Sequence, residues 1–320
     1  MDRFEGKIAV VTGGGTGIGR ELARKLAADG CHVAMCDLSA ENMATTQRLC
    51  QQAAPAGTRI TTCIADVSDA AAVRAFREHV VAEHATDRVH LLFNNAGIGG
   101  GGSFVAGAVD EWERVFGVVW GGVYNTSRAF IDLLVAADEA RLVNVSSVNG
   151  FWATLGPTAS HTSYSAGKFA VKGFSEALIQ DLRNHAPHVH VSVVMPGHIG
   201  TDIIKNSTSI LGRDPKSMGP EALAEVRAQA ERLGLELAGV GDDALRQLIA
   251  TRADTFRTDA PTTAERAAEI ILTGVRERRW RILVGDDAHV IDRLVRESPE
   301  EAYEPSFLEK LRRESQWQLG

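Results

Sequence analysis

Tyr164 and Lys168 stand four residues apart in a stretch patterned as a helix, so a phenol and an amine share one helical face, one turn apart. A phenol with a pKa of about 10 accepts a proton poorly at neutral pH, and a neighbouring ammonium lowers that value by roughly 1–3 units. Tyr164 would then exchange a proton with a substrate hydroxyl. Ser147, just past a β-branched run, offers a second hydrogen bond to the same oxygen and steadies the charge that grows there as hydride leaves or arrives. A tyrosine and lysine at this spacing are more often a surface pair, so the reading rests on what accompanies them.

The accompanying residues suit a dinucleotide. A short apolar run leads into Thr12-Gly13-Gly14-Gly15-Thr16-Gly17-Ile18-Gly19 and then a helix, which aims backbone N–H groups and the helix dipole at the turn's occupant. Pyrophosphate is the natural occupant, because glycine lets the backbone approach it closely and adopt positive φ. Asp37 ends the second apolar run, where a carboxylate accepts hydrogen bonds from both hydroxyls of an adenosine ribose. That favours NAD over NADP, since a 2′-phosphate would face Asp37 and neither Thr16 nor the adjacent Leu38 supplies a cation. Asp66-Val67 and Asn94-Asn95-Ala96-Gly97 follow the third and fourth runs, at strand ends where open α/β sheets bind ligands.

The elements that must hold these residues alternate as in a parallel sheet. Strands are predicted at Lys7 to Val11, His32 to Cys36, Ile60 to Ile64, Val89 to Phe93, Leu142 to Val145, Val189 to Val194 and Ile282 to Val284. Helices are predicted at Arg20 to Ala28 and Tyr164 to Asn184, with Asp110 and Glu113 as a capping box opening a further long one. Residues 205–261 break the rhythm: Pro220 to Leu237 and Asp243 to Phe256 read as amphipathic helices, and no strand is evident. Leu223, Val226, Leu233 and Leu237 give a hydrophobic stripe, suited equally to a lid over an apolar ligand or to subunit contact.

Taken in order, the glycine turn, Asp37, Asn94-Asn95-Ala96-Gly97, Val143-Asn144-Val145-Ser146-Ser147, Tyr164-Ser165-Ala166-Gly167-Lys168 and Pro196-Gly197 resemble the classical short-chain dehydrogenase/reductase family. The resemblance covers residues 5–204 and resumes at 262–285, leaving 205–261 as a helical insertion and 286–320 as a C-terminal extension of a single domain. It implies a Rossmann-like α/β fold, a doubly wound sheet of seven parallel strands, a nicotinamide cofactor, carbonyl–alcohol interconversion, and a homodimer or homotetramer. On this resemblance Tyr164 is the general acid/base and Ser147 its partner on the substrate oxygen, while Lys168 binds the nicotinamide ribose and depresses the tyrosine pKa. Gly13, Gly15, Thr16, Gly17, Ile18 and Gly19 line the dinucleotide, Asp37 and Leu38 meet the adenosine ribose, and Asp66 with Val67 flanks the adenine. Asn94, Ala96 and Gly97 pack along the cofactor; Pro196, Gly197, Ile199 and Thr201 approach the nicotinamide.

Two departures stand out. Val119 occupies the position where the family usually has an asparagine supporting a water that leads from the lysine to solvent, so the proton relay is expected to run differently. Ser147 and Tyr164 are also about four residues further apart than is common, with the excess in residues 151–163. That segment usually walls the substrate pocket. Phe151, Trp152 and His161, with His198 beside Pro196-Gly197, are therefore candidate substrate contacts, against core packing for the aromatics and simple partial exposure for the histidines.

Composition closes off other classes. Across 320 residues, 34 basic against 41 acidic side chains leave a net charge of −7, the wrong sign for coating nucleic acid or an anionic bilayer. No apolar stretch reaches the roughly 18–20 residues of a membrane span, and the first six residues carry acidic side chains unlike a secretory leader, so a cytoplasmic protein is expected. Cys31, Cys36, Cys50 and Cys63 lack the spacing of a metal site and read as reduced core thiols. The expected activity is NAD-dependent interconversion of a secondary alcohol and a ketone, on a bulky, largely apolar molecule such as a hydroxysteroid, terpene alcohol or aryl alcohol. The alternatives are an NADPH-dependent ketone reductase and a cofactor-binding regulator or scaffold without turnover.

Overall fold

A computed structural model describes residues 1–320 other than 2, 157–159, 233–235, 238, 316, 318 and 320. Its strands are β1 (Ile8–Thr12), β2 (His32–Asp37), β3 (Ile60–Ile64), β4 (Leu91–Asn94), β5 (Ala140–Val145), β6 (Val189–Pro196), β7 (Ile199–Gly200), β8 (Thr262–Thr263) and β9 (Arg281–Val284). The α-helices are α1 (Gly17–Ala28), α2 (Ala40–Ala53), α3 (Ala70–His84), α4 (Val109–Phe116), α5 (Gly122–Val135), α6 (Thr162–His185), α7 (Ile203–Ile210), α8 (Pro220–Arg232), α9 (Asp242–Thr258), α10 (Ala264–Arg276), α11 (Asp286–Glu297) and α12 (Pro305–Glu314).

Seven strands form one sheet in the order β3-β2-β1-β4-β5-β6-β9, and each neighbouring pair is parallel. This is the Rossmann-like arrangement expected from the alternating pattern. The order reverses between β1 and β4, which opens a crevice at the carboxyl ends of those strands.

Side chains two apart along a strand share a face, and both faces of this sheet are covered. Val11, Met35, Phe93 and Val143 pack with Leu22 and Leu26 of α1 and Ile271 of α10. Val10, Ala34, Leu92 and Leu142 pack on the other side with Phe76 of α3 and Phe130 of α5. Leu22, Leu26, Phe76 and Phe130 are all fully buried, each worth roughly 1.5–3 kcal/mol of transfer free energy. Ser39 and Asp69 cap α2 and α3 by accepting from Asn42 N–H and Ala71 N–H, so these helices start where the strands deliver the chain. Cys31, Cys36 and Cys50 are buried and Cys63 half-buried, all as free thiols.

Three expectations need correction. The capping box at Asp110 does not form: Ala108 is the N-cap of α4, and the Asp110 carboxylate, inside the first turn, accepts from Glu111 N–H. α4 and α5 are joined through a π-helical turn at residues 117–121, which contains Val119. A third helix, α7, begins at Ile203 where only two were predicted between 205 and 261, and β7 pairs with β8 in a small two-stranded ribbon. Within the insertion Leu223 is buried and Val226 and Leu237 are partly so, whereas Leu233 lies outside the described residues.

The C-terminal extension has its own apolar centre. Trp152 packs there with Ile291 and Leu294 of α11 and Phe307, Leu308 and Leu311 of α12. Among the described residues no helix is long and apolar enough to cross a membrane.

Candidate active site

A cleft of about 450 Å³ runs from the N-terminus of α1 to Tyr164. At its first end Gly13 holds φ +66°, and a Cβ there would stand 2.8 Å from the Ala96 Cα. A Cβ at Gly19 would overlap the Gly13 carbonyl oxygen, so the turn closes only with glycine at both places. Thr16 is the N-cap of α1, yet its side chain makes no cap hydrogen bond and instead accepts from Asn206 Nδ2 of α7 at 2.9 Å. The first-turn N–H groups of α1 therefore keep no capping side chain, the arrangement that receives a phosphate.

Asp37 is positioned by its own loop. Its Oδ2 accepts from Gly15 N–H at 3.0 Å and its Oδ1 from Ser39 N–H at 3.1 Å, fixing the carboxylate at the cleft wall. Burial opposes ionisation of Asp66, but hydrogen bonds from Ser68 and the Arg114 guanidinium at 2.7 Å outweigh it and hold this carboxyl below its ordinary range. A dinucleotide fits this half: uncapped amides, a backbone without Cβ atoms and an oriented carboxylate follow one another along one wall.

Tyr164 and Ser147 meet at the far end. Ser147 ends the segment after β5, its Oγ accepts from Asn149 N–H at 3.1 Å, and its hydroxyl lies near enough to the Tyr164 phenol to favour the ionised form. Lys168, 4% exposed, donates from Nζ to the Val145 carbonyl at 2.8 Å and lies 5.4 Å from the centre of the Tyr164 ring. The electrostatics correct the expectation that this amine depresses the tyrosine. Burial pushes Tyr164 up to about 12, with the Ser147 hydroxyl opposing it, and burial pushes Lys168 down to about 7. The cause is shared desolvation: an amine that is itself held from water is only partly protonated at neutral pH, so it is a weak cation for its neighbour.

Gly13, Thr16, Gly17, Ile18, Asp37, Leu38, Asp66, Val67, Ala96, Gly97, Ser147, Tyr164, Lys168, Pro196, Gly197, Ile199 and Thr201 all line the cleft. Gly15, Gly19 and Asn94 stand behind it. Gly15 holds Asp37, while the Asn94 amide donates to Ser127 Oγ at 2.9 Å and Asn144 Oδ1 at 2.8 Å and accepts from Thr126 at 2.6 Å, tying β4 and β5 to α5.

Most candidate substrate contacts lie elsewhere. Trp152 is 1% exposed, donates from Nε1 to the Ala302 carbonyl at 2.7 Å and packs on Phe307 and Trp317. Phe151 packs against the same cluster, with the Arg281 guanidinium 5.7 Å from its ring centre. Phe151 and Trp152 thus face the C-terminal extension. His198 is buried behind Pro196-Gly197, where its N–H donates to Asp287 Oδ2 at 2.6 Å. His161 alone is beside the chemistry, its ring edge-on to Tyr164 at 5.3 Å. Val119 is fully buried and lies against Gly167, where a Cβ would meet its Cγ1 at 2.8 Å.

The cleft also holds residues that the sequence analysis did not single out. Ile203, Asn206, Ser209 and Ile210 come from α7, Phe256 from α9 and Arg114 from α4. Asn95 donates from Nδ2 to the Thr12 and Gly13 carbonyls at 3.0 and 3.2 Å, locking the glycine turn to β4. A short amphipathic pattern marks α7, but nothing local marks Phe256.

Residues 7–210 match the short chain dehydrogenase family, and the chain belongs to it. It is 34% identical over 297 residues, 92% of each chain, to the putative oxidoreductase SadH of Mycobacterium tuberculosis. Among solved structures it resembles a short chain dehydrogenase/reductase from Burkholderia phymatum in complex with NAD, at 31% identity and TM-score 0.73, covering 95% of this chain and 98% of that one. It also resembles a metagenomic short-chain oxidoreductase in complex with NADP, at 26% identity and TM-score 0.54, covering 81% and 96%. The fold and the site thus define an oxidoreductase of the short-chain type.

Proposed function

We propose that this chain is an NAD-dependent alcohol dehydrogenase that interconverts a secondary alcohol and a ketone on a bulky, largely apolar substrate. The observation that carries the reading is the Ser147–Tyr164 hydroxyl pair, with Lys168 beside it, at the end of the same cleft that begins at the uncapped α1 N-terminus. Oxidised nicotinamide dinucleotide, when bound, supplies a hydride acceptor and a positively charged ring. Gly13, Gly17, Ile18 and the α1 amides would hold its pyrophosphate, Asp37 its adenosine ribose, and Lys168 the second ribose.

The protein's own groups set the proton. Tyr164, held protonated by burial, is ready to give a proton to a carbonyl oxygen, and Ser147 donates a second hydrogen bond to that oxygen. The reverse direction needs the phenolate, which positive charge nearby favours. Ile98, Ile203, Ile210 and Phe256 add apolar lining to the cleft, which supports the substrate class and the lid reading of the insertion. A homodimer or homotetramer belongs to the same proposal, supported by the exposed Tyr124 of α5 and Phe169 of α6.

One observation favours NADPH-dependent ketone reduction: Arg20 donates to the carbonyl of Gly15, the residue whose N–H holds Asp37, and so brings a cation to the adenosine end. Fluorescence titration with NADH and NADPH, followed by turnover of secondary aryl and alicyclic alcohols with each oxidised cofactor, decides. Tighter binding of NADH and faster reduction of NAD are expected. A preference for the phosphorylated cofactor removes the role given to Asp37, and binding without turnover in either direction makes the chain a scaffold.

A further inference from the structure

Pro196, Gly197, Ile199 and Thr201 line the cleft where the chain leaves the main sheet. Pro196 ends β6 in register with Val284 of β9, and Gly197 N–H donates to the Val284 carbonyl at 2.9 Å. Beyond that point β7 is only two residues long and, among the described residues, pairs only with the equally short β8. Two distant parts of the chain add to what holds this segment.

Asp287, in the first turn of α11, is 3% exposed, and its carboxylate lies directly against Gly197, where a Cβ would collide with both oxygens. Its Oδ2 accepts from His198 N–H at 2.6 Å and its Oδ1 from Ala288 N–H at 2.9 Å. Burial raises the carboxyl's pKa, and the two backbone donors oppose that rise. A buried carboxylate is costly unless hydrogen-bonded, and such bonds are among the stronger ones when formed.

His198 extends the strap to the insertion. Its Nε2 contacts the Phe256 carbonyl at 2.7 Å, and because a carbonyl only accepts, Nε2 carries the proton. Nδ1 is buried without a hydrogen-bond partner among the described residues. The imidazole also packs on the Phe256 ring with centroids 4.4 Å apart, and a Cβ on Gly200 would meet the Arg257 carbonyl at 2.6 Å. The last turn of α9 is thereby seated on residues 198–200, and Phe256 is presented to the cleft.

We propose that Asp287 and His198 are positioning residues: the Asp287 carboxylate and the His198 ring join the C-terminal extension and the helical insertion to the Pro196–Thr201 segment, and so hold the Phe256 wall against the substrate. Neither touches the reacting atoms. The inference rests on the dehydrogenase reading for its effect on substrate, but the strap itself is open to a test without turnover.

The test compares Asp287→Asn and His198→Phe with the parent by hydrogen exchange and by steady-state oxidation of 1-phenylethanol with NAD. The asparagine retains shape but turns an amide donor toward one of the two N–H groups, and the phenylalanine retains the ring stack without the Nε2 bond. Exchange at residues 197–202 and 255–258 is expected to accelerate by about tenfold in Asp287→Asn, and less in His198→Phe, with α1 and α2 unchanged. The KM for the alcohol should rise about fivefold to tenfold while kcat shifts less than about twofold, the pattern of lost uniform binding. Unchanged exchange in both segments overturns the strap whether or not the alcohol turns over. Accelerated exchange with kcat falling and KM constant overturns the positioning role, and accelerated exchange with no turnover by the parent of any aryl or alicyclic alcohol, in either direction, retires the dehydrogenase reading alone. If Asp287→Asn does not fold, the exchange pattern of His198→Phe decides.

Discussion

The two ends of the cleft are built by different means. At the α1 end, Gly13, Gly15, Asp37 and the first turn of α1 lie within a single β-α-β unit, which Asn95, Ala96 and Asn206 buttress from outside. The rest of the cleft is lined by Ser147, Tyr164, Ile210 and Phe256, with Asp287 behind Gly197, and these come from five separate stretches of chain. One end is a local motif and the other an assembly. A motif can be carried whole from one short-chain dehydrogenase to the next, whereas an assembly changes whenever an insertion or terminal extension changes, and that is where a substrate preference is written.

The largest expected effect tests whether the assembled end does the chemistry. On the proposed reading Tyr164→Phe removes the hydroxyl that exchanges the proton, and kcat/KM with NAD and 1-phenylethanol should fall by about a thousandfold while the NADH dissociation constant moves less than about twofold. Steady-state rates and fluorescence titration check the two halves of that statement. Full activity would mean that another group handles the proton.

Next comes the electrostatic state of the same end. Lys168 titrates near 7 in the folded chain against 10.5 for an ordinary lysine, so between those values the unfolded chain binds a proton that the native chain does not. Unfolding free energy should therefore rise with pH from about 7 to 10 by roughly 2–4 kcal/mol through this residue, and the rise should vanish in Lys168→Met. Tyr164, raised to about 12, works in the opposite sense and only above pH 10, where the unfolded phenol ionises first. Chemical denaturation of both proteins from pH 6 to 10 measures the difference.

The smallest effects sharpen the contrast between the ends. Gly19→Ala places a methyl on the Gly13 carbonyl oxygen and should weaken NADH binding by about tenfold with little change in the KM of the alcohol. Phe256→Ala should do the reverse, raising that KM about fivefold and leaving NADH binding alone. Equal losses of both affinities in either variant would show that the two ends are one cooperative unit.

How much could be read in advance follows the same division. Alternating strands and helices and the glycine turn were legible because each depends on periodicity or on a backbone angle that only certain residues tolerate. Tyr164 and Lys168 were legible because helical spacing alone sets their common face. Trp152 and His198 stayed open between substrate contact and a structural place, because residue type says nothing of which distant element covers a side chain. One is taken up by the C-terminal extension and the other by Asp287 and α9. Phe256 carried no signal, since its place in the cleft depends on how α9 docks on β7.

By itself, then, the order of residues determined the parallel sheet, the glycine turn before α1 and the shared helical face of Tyr164 and Lys168, because all three are fixed by short-range geometry along one chain. Only the folded molecule decided the protonation of Tyr164 and Lys168, the apolar wall from α7 and α9, and the strap beneath Pro196-Gly197. Those depend on how far water is excluded and on which remote surfaces meet, and both are properties of packing in three dimensions.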